Sequence, residues 1–177
     1  MNDLSPHLTE RLQKIRLFLC DVDGILTDAS VYMDGEVETK RFHIQDGLGL
    51  RLLQREGIKV GWVSARPSMA TTQRAKDLKI DFLHQSDQSK VVAVEKILAE
   101  AQATWETMCY MGDDIVDLGV LRRAGLAITV PHAIPEAQEL AHYVTELPGG
   151  DGAVREVVEL ILKTQGKWEP LVRHFMQ

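Results

Sequence analysis

The chain has 177 residues, 45% of them hydrophobic and 26% charged, and a formal net charge of -6. That length suits one domain with a sizeable core. The mild acidity argues against a nucleic-acid partner, because phosphate backbones recruit basic patches.

The first residues, MNDLSPHLTERLQKIR, lack the apolar core of a secretory leader. No segment reaches the ~20 apolar residues of a membrane span. Cys20 and Cys109 lie in apolar runs without metal or disulfide spacing, so they read as buried free thiols. A cytoplasmic protein is expected. Leu17 to Asp23 (LFLCDVD) reads as a buried strand ending at acidic residues. Val31 to Ile44 carries β-branched and aromatic residues around Asp34-Gly35, a hairpin turn signal. GLGLRLLQREG has helical spacing and a stop at Gly57. Lys59 to Ala65 predicts a second buried strand. Met69 to Lys79 predicts a helix, IDFLHQ a short strand, and Lys90 to Gln102 a helix. Thr107 to Gly112 predicts a strand, Asp114 to Ala124 a helix, and Leu126 to Val130 a strand. Glu136 to Ala141 and Ala153 to Thr164 predict helices flanking YVTEL. The tail from about 166 to 177 has no evident place on the core. This alternation implies an α/β fold: a Rossmann-like parallel sheet with helices on both faces. A hairpin at about 30–44 projects from the single domain.

Ligands in such sheets bind at the C-terminal ends of the strands. Asp21 and Asp23 close the first strand there, and Ser64 closes the second. Asp113, Asp114 and Asp117 follow the fourth, and Lys90 opens a helix on the same side. Carboxylates gathered at one point stay ionised only around a cation. Oxygen ligands favour a hard ion, magnesium first. One carboxylate can attack phosphorus to give an acyl phosphate. A second, two residues on, can protonate the leaving oxygen and then deprotonate water. Ser64 can donate to phosphoryl oxygens, and Lys90 supplies fixed positive charge. Taken singly, each has an ordinary reading: turn aspartates, a helix-capping Ser, a solvated Lys, first-turn helix acids. Their joint occurrence in this order points to phosphoryl transfer.

These residues resemble the haloacid dehalogenase-like phosphohydrolase superfamily. LFLCDVDGILTD is similar to its first motif, WVSAR to its second, Lys90 to its third and YMGDDIVD to its fourth. The resemblance implies Asp21 as nucleophile, Asp23 as general acid/base, and Ser64 and Lys90 as phosphate ligands. It implies Mg2+ held by the Asp21 carboxylate, the Asp23 backbone carbonyl and Asp113, supported by Asp114 and Asp117. DVDGILTD, KRFHIQDGLGLRLLQ, the SAR turn and ELPGGDGAVREVVELIL further resemble the 3-deoxy-D-manno-octulosonate 8-phosphate phosphatase family, which serves lipopolysaccharide synthesis. Relatives cleaving nine-carbon sugar acid phosphates, and non-catalytic regulatory homologues, are the alternatives. A phosphoaspartate receiver domain fits less well, because its Lys would follow the Ser/Thr near the chain's end. The second motif departs from the usual Thr/Ser-Gly-Arg: Ala65 replaces glycine between Ser64 and Arg66, narrowing the backbone's freedom. Arg66 fits the octulosonate branch, and its guanidinium suits a carboxylate or phosphate of the substrate.

Neither gap between the motifs has room for a cap domain, yet a small sugar phosphate needs enclosure. Apolar Val31, Tyr32, Val37 and Phe42 flank the hairpin turn. They predict a homo-oligomer assembled through hairpins. The resemblance implies a homotetramer in which Gly149 to Arg155 and the residues beyond close a neighbour's site. Asp46 is expected to N-cap the GLGLRLL helix, with a substrate hydroxyl contact as the alternative. His84 and His132 read as ordinary loop histidines, and Trp62 as a core residue.

Overall fold

The computed structural model describes residues 4–177. Six strands form one parallel sheet: β1 (Leu17–Cys20), β4 (Lys59–Ser64), β5 (Phe82–Gln85), β6 (Met108–Met111), β7 (Leu126–Thr129) and β8 (Tyr143–Val144). Their order is β5-β4-β1-β6-β7-β8. The central strands β1, β6 and β7 are buried at every position. That is why they read as continuous apolar runs rather than alternating ones. Helices α2 (Ile44–Arg55) and α4 (Lys90–Ala101) both pack on β4. With α2 go α1 (Pro6–Lys14) and α7 (Ala153–Thr164); with α4 go α5 (Leu118–Leu121) and α6 (Pro135–Leu140). A short α3 (Met69–Asp77) links β4 to β5.

The hairpin is a separate antiparallel ribbon, β2 (Tyr32–Asp34) with β3 (Val37–Thr39). Asp34 pairs with Val37, so the two-residue turn is Gly35-Glu36, one position beyond the expected dipeptide. Gly35 takes φ +59, which suits a glycine at the first turn position.

Several segments depart from the sequence reading. Pro6–Lys14, assigned no element above, is helix α1: Ser5 accepts the Leu8 N–H at 3.2 Å, and Leu8 and Leu12 are buried. The tail forms helix α8 (Trp168–Phe175) and does dock on the core. Leu171 is buried, and the Trp168 ring lies 5.1 Å beneath the Arg155 guanidinium. The helix expected from Asp114 to Ala124 is a 3-10 turn at 115–117 followed by the single turn α5. Asp46 lies inside α2, after its N-cap His43, and caps a different helix: its Oδ1 accepts the Arg155 N–H at 2.7 Å, at the start of α7. Phe42 is not on the exposed ribbon face. It stacks on Trp62, ring centroids 6.2 Å apart, and Trp62 is fully buried in the core as expected.

Candidate active site

The parallel register brings the motif residues to one rim. Cys20 is level with Trp62 on one side and Met111 on the other. Asp21 and Asp113 therefore follow the C-terminal ends of β1 and β6, and Ser64 closes the adjacent β4. Asp21 stays tied to the sheet through its N–H, which donates to Met111 O at 2.9 Å.

Lys90, at the first position of α4, is buried and bridges two carboxylates: Asp21 Oδ1 at 2.9 Å and Asp117 Oδ1 at 2.7 Å. Asp117 is fully buried and saturated. Its Oδ1 also accepts the Tyr110 hydroxyl at 2.6 Å, and its Oδ2 accepts the N–H groups of Asp113 and Asp114 at 3.2 Å each. Asp117 thus orients Lys90 and the turn bearing Asp113, and has no lone pair to spare. Asp114 is exposed and its Oδ1 accepts the Ile115 N–H at 2.7 Å, so it caps the 3-10 turn and does not join the cluster. Asp113 is different: its Oδ1 is buried without a partner.

Oxygens of Asp21, Asp113 and Asp117 lie within 4.8 Å of one another. Burial pushes Asp113 up to about 7, with Asp21 and Asp117 adding repulsion. Burial also raises Asp21 to about 6, against the pull of Lys90. Burial lowers the Lys90 ammonium, but Asp21 and Asp117 outweigh it and hold it above its ordinary value. Among these buried carboxylates, one ammonium leaves negative charge uncompensated. An unpartnered carboxylate oxygen in an all-oxygen donor set fits a hard divalent cation, which would reverse the upward shifts.

Ser64 is buried and forms a tight turn with Arg66: its Oγ accepts the Arg66 N–H at 3.1 Å. Ala65 lies outside the left-handed region, so this turn makes no demand for glycine. Arg66 is half-exposed and pairs with Glu38 of β3.

Four contacts escaped the sequence reading. Lys40, just past β3, has no side-chain exposure and reaches Asp23 Oδ1 at 2.7 Å and Oδ2 at 3.0 Å. Tyr110 sits on β6 where any apolar residue would satisfy the strand pattern. His132 lies in a loop, as expected, and its Nε2 stands 3.1 Å from Gly24 O. Gly149 packs directly on Gly24, and Gly150 donates to Ile25 O at 3.0 Å. Gly149 and Gly150 therefore buttress the chain's own first-motif loop. The signal for Lys40 was the two-residue period of Glu38 and Lys40, which puts both on one face of the ribbon.

Among the described residues, no helix is long and apolar enough to cross a membrane. Residues 80–157 match the haloacid dehalogenase-like hydrolase family. The 3-deoxy-D-manno-octulosonate 8-phosphate phosphatase of Yersinia pestis is 41% identical over 94% of this chain and 89% of its own. The Moraxella catarrhalis phosphatase of the same name, solved in complex with magnesium, phosphate and KDO, superposes with TM-score 0.94 at 36% identity, covering 97% of this chain and 99% of that one. The cobalt-bound Haemophilus influenzae deoxy-D-mannose-octulosonate 8-phosphate phosphatase superposes with TM-score 0.90 at 33% identity, covering 94% and 99%. Identity of this level over nearly the whole length, on a rim carrying every motif residue type, places the chain in the 3-deoxy-D-manno-octulosonate 8-phosphate phosphatase family of haloacid dehalogenase-like hydrolases.

Proposed function

We propose that the chain hydrolyses 3-deoxy-D-manno-octulosonate 8-phosphate to the free sugar acid and phosphate, through an aspartyl phosphate on Asp21, in lipopolysaccharide precursor synthesis. The observation that carries this is the buried Asp21 carboxylate held at 2.9 Å by Lys90, beside the unpartnered oxygen of Asp113. Magnesium bound by the Asp21 and Asp113 carboxylates and the Asp23 backbone carbonyl would neutralise charge on the phosphoryl oxygens.

The chain's own residues do the rest. An Asp21 carboxylate oxygen attacks phosphorus, and the bond from phosphorus to the sugar oxygen breaks. Asp23 gives that departing oxygen a proton. Asp23 then takes a proton from water; the water oxygen attacks phosphorus and the bond to Asp21 breaks, restoring the carboxylate. Lys90 and Ser64 hold phosphoryl oxygens as charge develops. The backbone at Ala65 lies along the same turn, and Arg66 meets the substrate's carboxylate or phosphate once released from Glu38.

The finer parts of the reading have their own support. Val31, Tyr32, Met33 and Val37 are 37, 57, 60 and 65% exposed, apolar side chains on both faces of the ribbon whose exposure suits burial between subunits of a homotetramer. Light scattering should give a multiple of the 19.9 kDa chain mass, and a single-chain mass would refute assembly. A reducing, cytoplasmic setting suits Cys20 and Cys109, both free and buried.

The decisive assay compares phosphate release from octulosonate 8-phosphate, nononate 9-phosphate and neuraminate 9-phosphate with magnesium. The eight-carbon ester should be preferred. Asp21→Asn should abolish turnover of all three while leaving the melting curve folded. Normal activity in that variant would rule out the covalent route.

A further inference from the structure

The ribbon that bears the exposed apolar side chains also reaches into the catalytic rim. Lys40 follows β3 directly, and its ammonium takes both oxygens of Asp23, at 2.7 and 3.0 Å, from a fully buried position. Thr71 Oγ1 on α3 lies 3.4 Å from the same nitrogen, and Glu38 Oε1 lies 3.6 Å away. Glu38 in turn accepts the Ser68 hydroxyl at 2.5 Å and pairs with Arg66. The hydroxyl and the guanidinium hold the Glu38 carboxyl below the ordinary range. The ribbon is thus pinned to the β4–α3 turn by Glu38, while Lys40 grips Asp23.

We propose that Lys40 is a positioning residue for the reaction: it fixes the Asp23 carboxyl group on the leaving-group side of the site, and β3 sets its reach. The inference rests on the phosphatase reading given above. A buried ammonium needs a carboxylate partner, and the one that Lys40 takes is the acid/base candidate closing the first motif. The hydrogen bond to Oδ2 and the ion-pair contact to Oδ1 together hold that carboxylate's rotation as well as its place. Proton delivery is sensitive to such placement, since a donor must stand within hydrogen-bond reach of the atom it serves. Anchoring through Glu38 ties this rotation to the ribbon, so ribbon and acid/base act as one unit.

The experiment measures kcat/KM for a series of phosphomonoesters, from the sugar phosphate to 2,4-dinitrophenyl phosphate, in wild type, Lys40→Met and Lys40→Arg. A good leaving group departs without a proton, whereas a sugar alkoxide needs one. Lys40→Met should lose roughly 100-fold on the sugar phosphate but no more than about 3-fold on the dinitrophenyl ester. Lys40→Arg, which keeps the charge but changes the reach, should show the same graded pattern with smaller amplitude. If Lys40→Met does not fold, the arginine variant decides alone. A loss equal across leaving groups, or no loss, overturns the positioning role. Wild-type protein that releases no phosphate from any ester would instead sink the phosphatase reading itself.

Discussion

Stripped of divalent metal, this protein should lose stability as pH rises, the reverse of ordinary acid denaturation. Asp21, Asp113 and Asp117 share one buried space with Lys90. Burial lifts Asp113 to about 7, whereas an unfolded aspartate titrates near ~3.9. Between those values the folded chain binds more protons than the unfolded one. Stability is therefore fully present below about pH 4 and drains away as pH climbs through about 7. At about 1.4 kcal/mol per pH unit the Asp113 rise corresponds to ~4 kcal/mol. Solvent screening at its open edge trims this to about 2–4 kcal/mol. For a domain of this size that is on the order of 10 °C in melting temperature.

The assay is thermal melting in EDTA from about pH 5 to pH 8, repeated with magnesium and with Asp113→Asn. The window stays above pH 5 because Glu38 and Glu159, held below the ordinary range, act with the opposite sign in acid. Burial lowers His142, which also opposes the trend, and the Asp113→Asn comparison subtracts it. Magnesium at a hundredfold over its Kd should restore about 2.7 kcal/mol. That gain should grow with pH, because ligands bind metal only when deprotonated. A melting temperature in EDTA that is flat or rising across this window, and equal in wild type and Asp113→Asn, refutes the crowded-carboxylate account.

Breaking the Lys90–Asp117 pair from either side should cost about 3–5 kcal/mol in urea unfolding, since each change strands a buried charge. The double variant Lys90→Met/Asp117→Asn should cost less than the sum of the two, and strict additivity would show the pair is uncoupled. Gly24→Ala should depress both kcat and magnesium affinity: Gly24 has φ +91, and a Cβ there overlaps the Asp113 carboxylate. Isothermal titration with magnesium reads this directly, and wild-type affinity would count against it. Gly149→Ala, whose Cβ would collide with the Gly24 carbonyl oxygen, should lower the melting temperature and slow turnover despite touching no candidate catalytic side chain. Unchanged kinetics would mean that the first-motif loop does not need this buttress.

The motif residues and the parallel sheet were legible because they leave local marks. A strand buried on both faces is largely apolar, and β1, β6 and β7 are, with only the Tyr110 and Thr129 hydroxyls interrupting the run, each hydrogen-bonded. Carboxylates at its end stand out against that background. Other features left no such mark. The α8 helix is short, and its place depends on Leu171, Trp168 and Arg155 meeting across distant segments. Asp46 satisfied every local rule for an N-cap, yet its oxygen went to Arg155, more than a hundred residues away in the chain. Tyr110 and Lys40 occupy positions whose local pattern admits other residues.

From the sequence alone came the chemistry: which groups could attack phosphorus, carry a proton and hold a cation, and the kind of sheet that presents them. Those are properties of residue type and spacing, which the chain carries in any conformation. Only the tertiary structure decided how the charges are shared. It saturated Asp117, exposed Asp114, left Asp113 with an unpartnered oxygen, and brought Lys40 to Asp23. Hydrogen-bond and ion-pair partners are chosen by proximity in space, and proximity across the chain exists only after the strands and helices have packed.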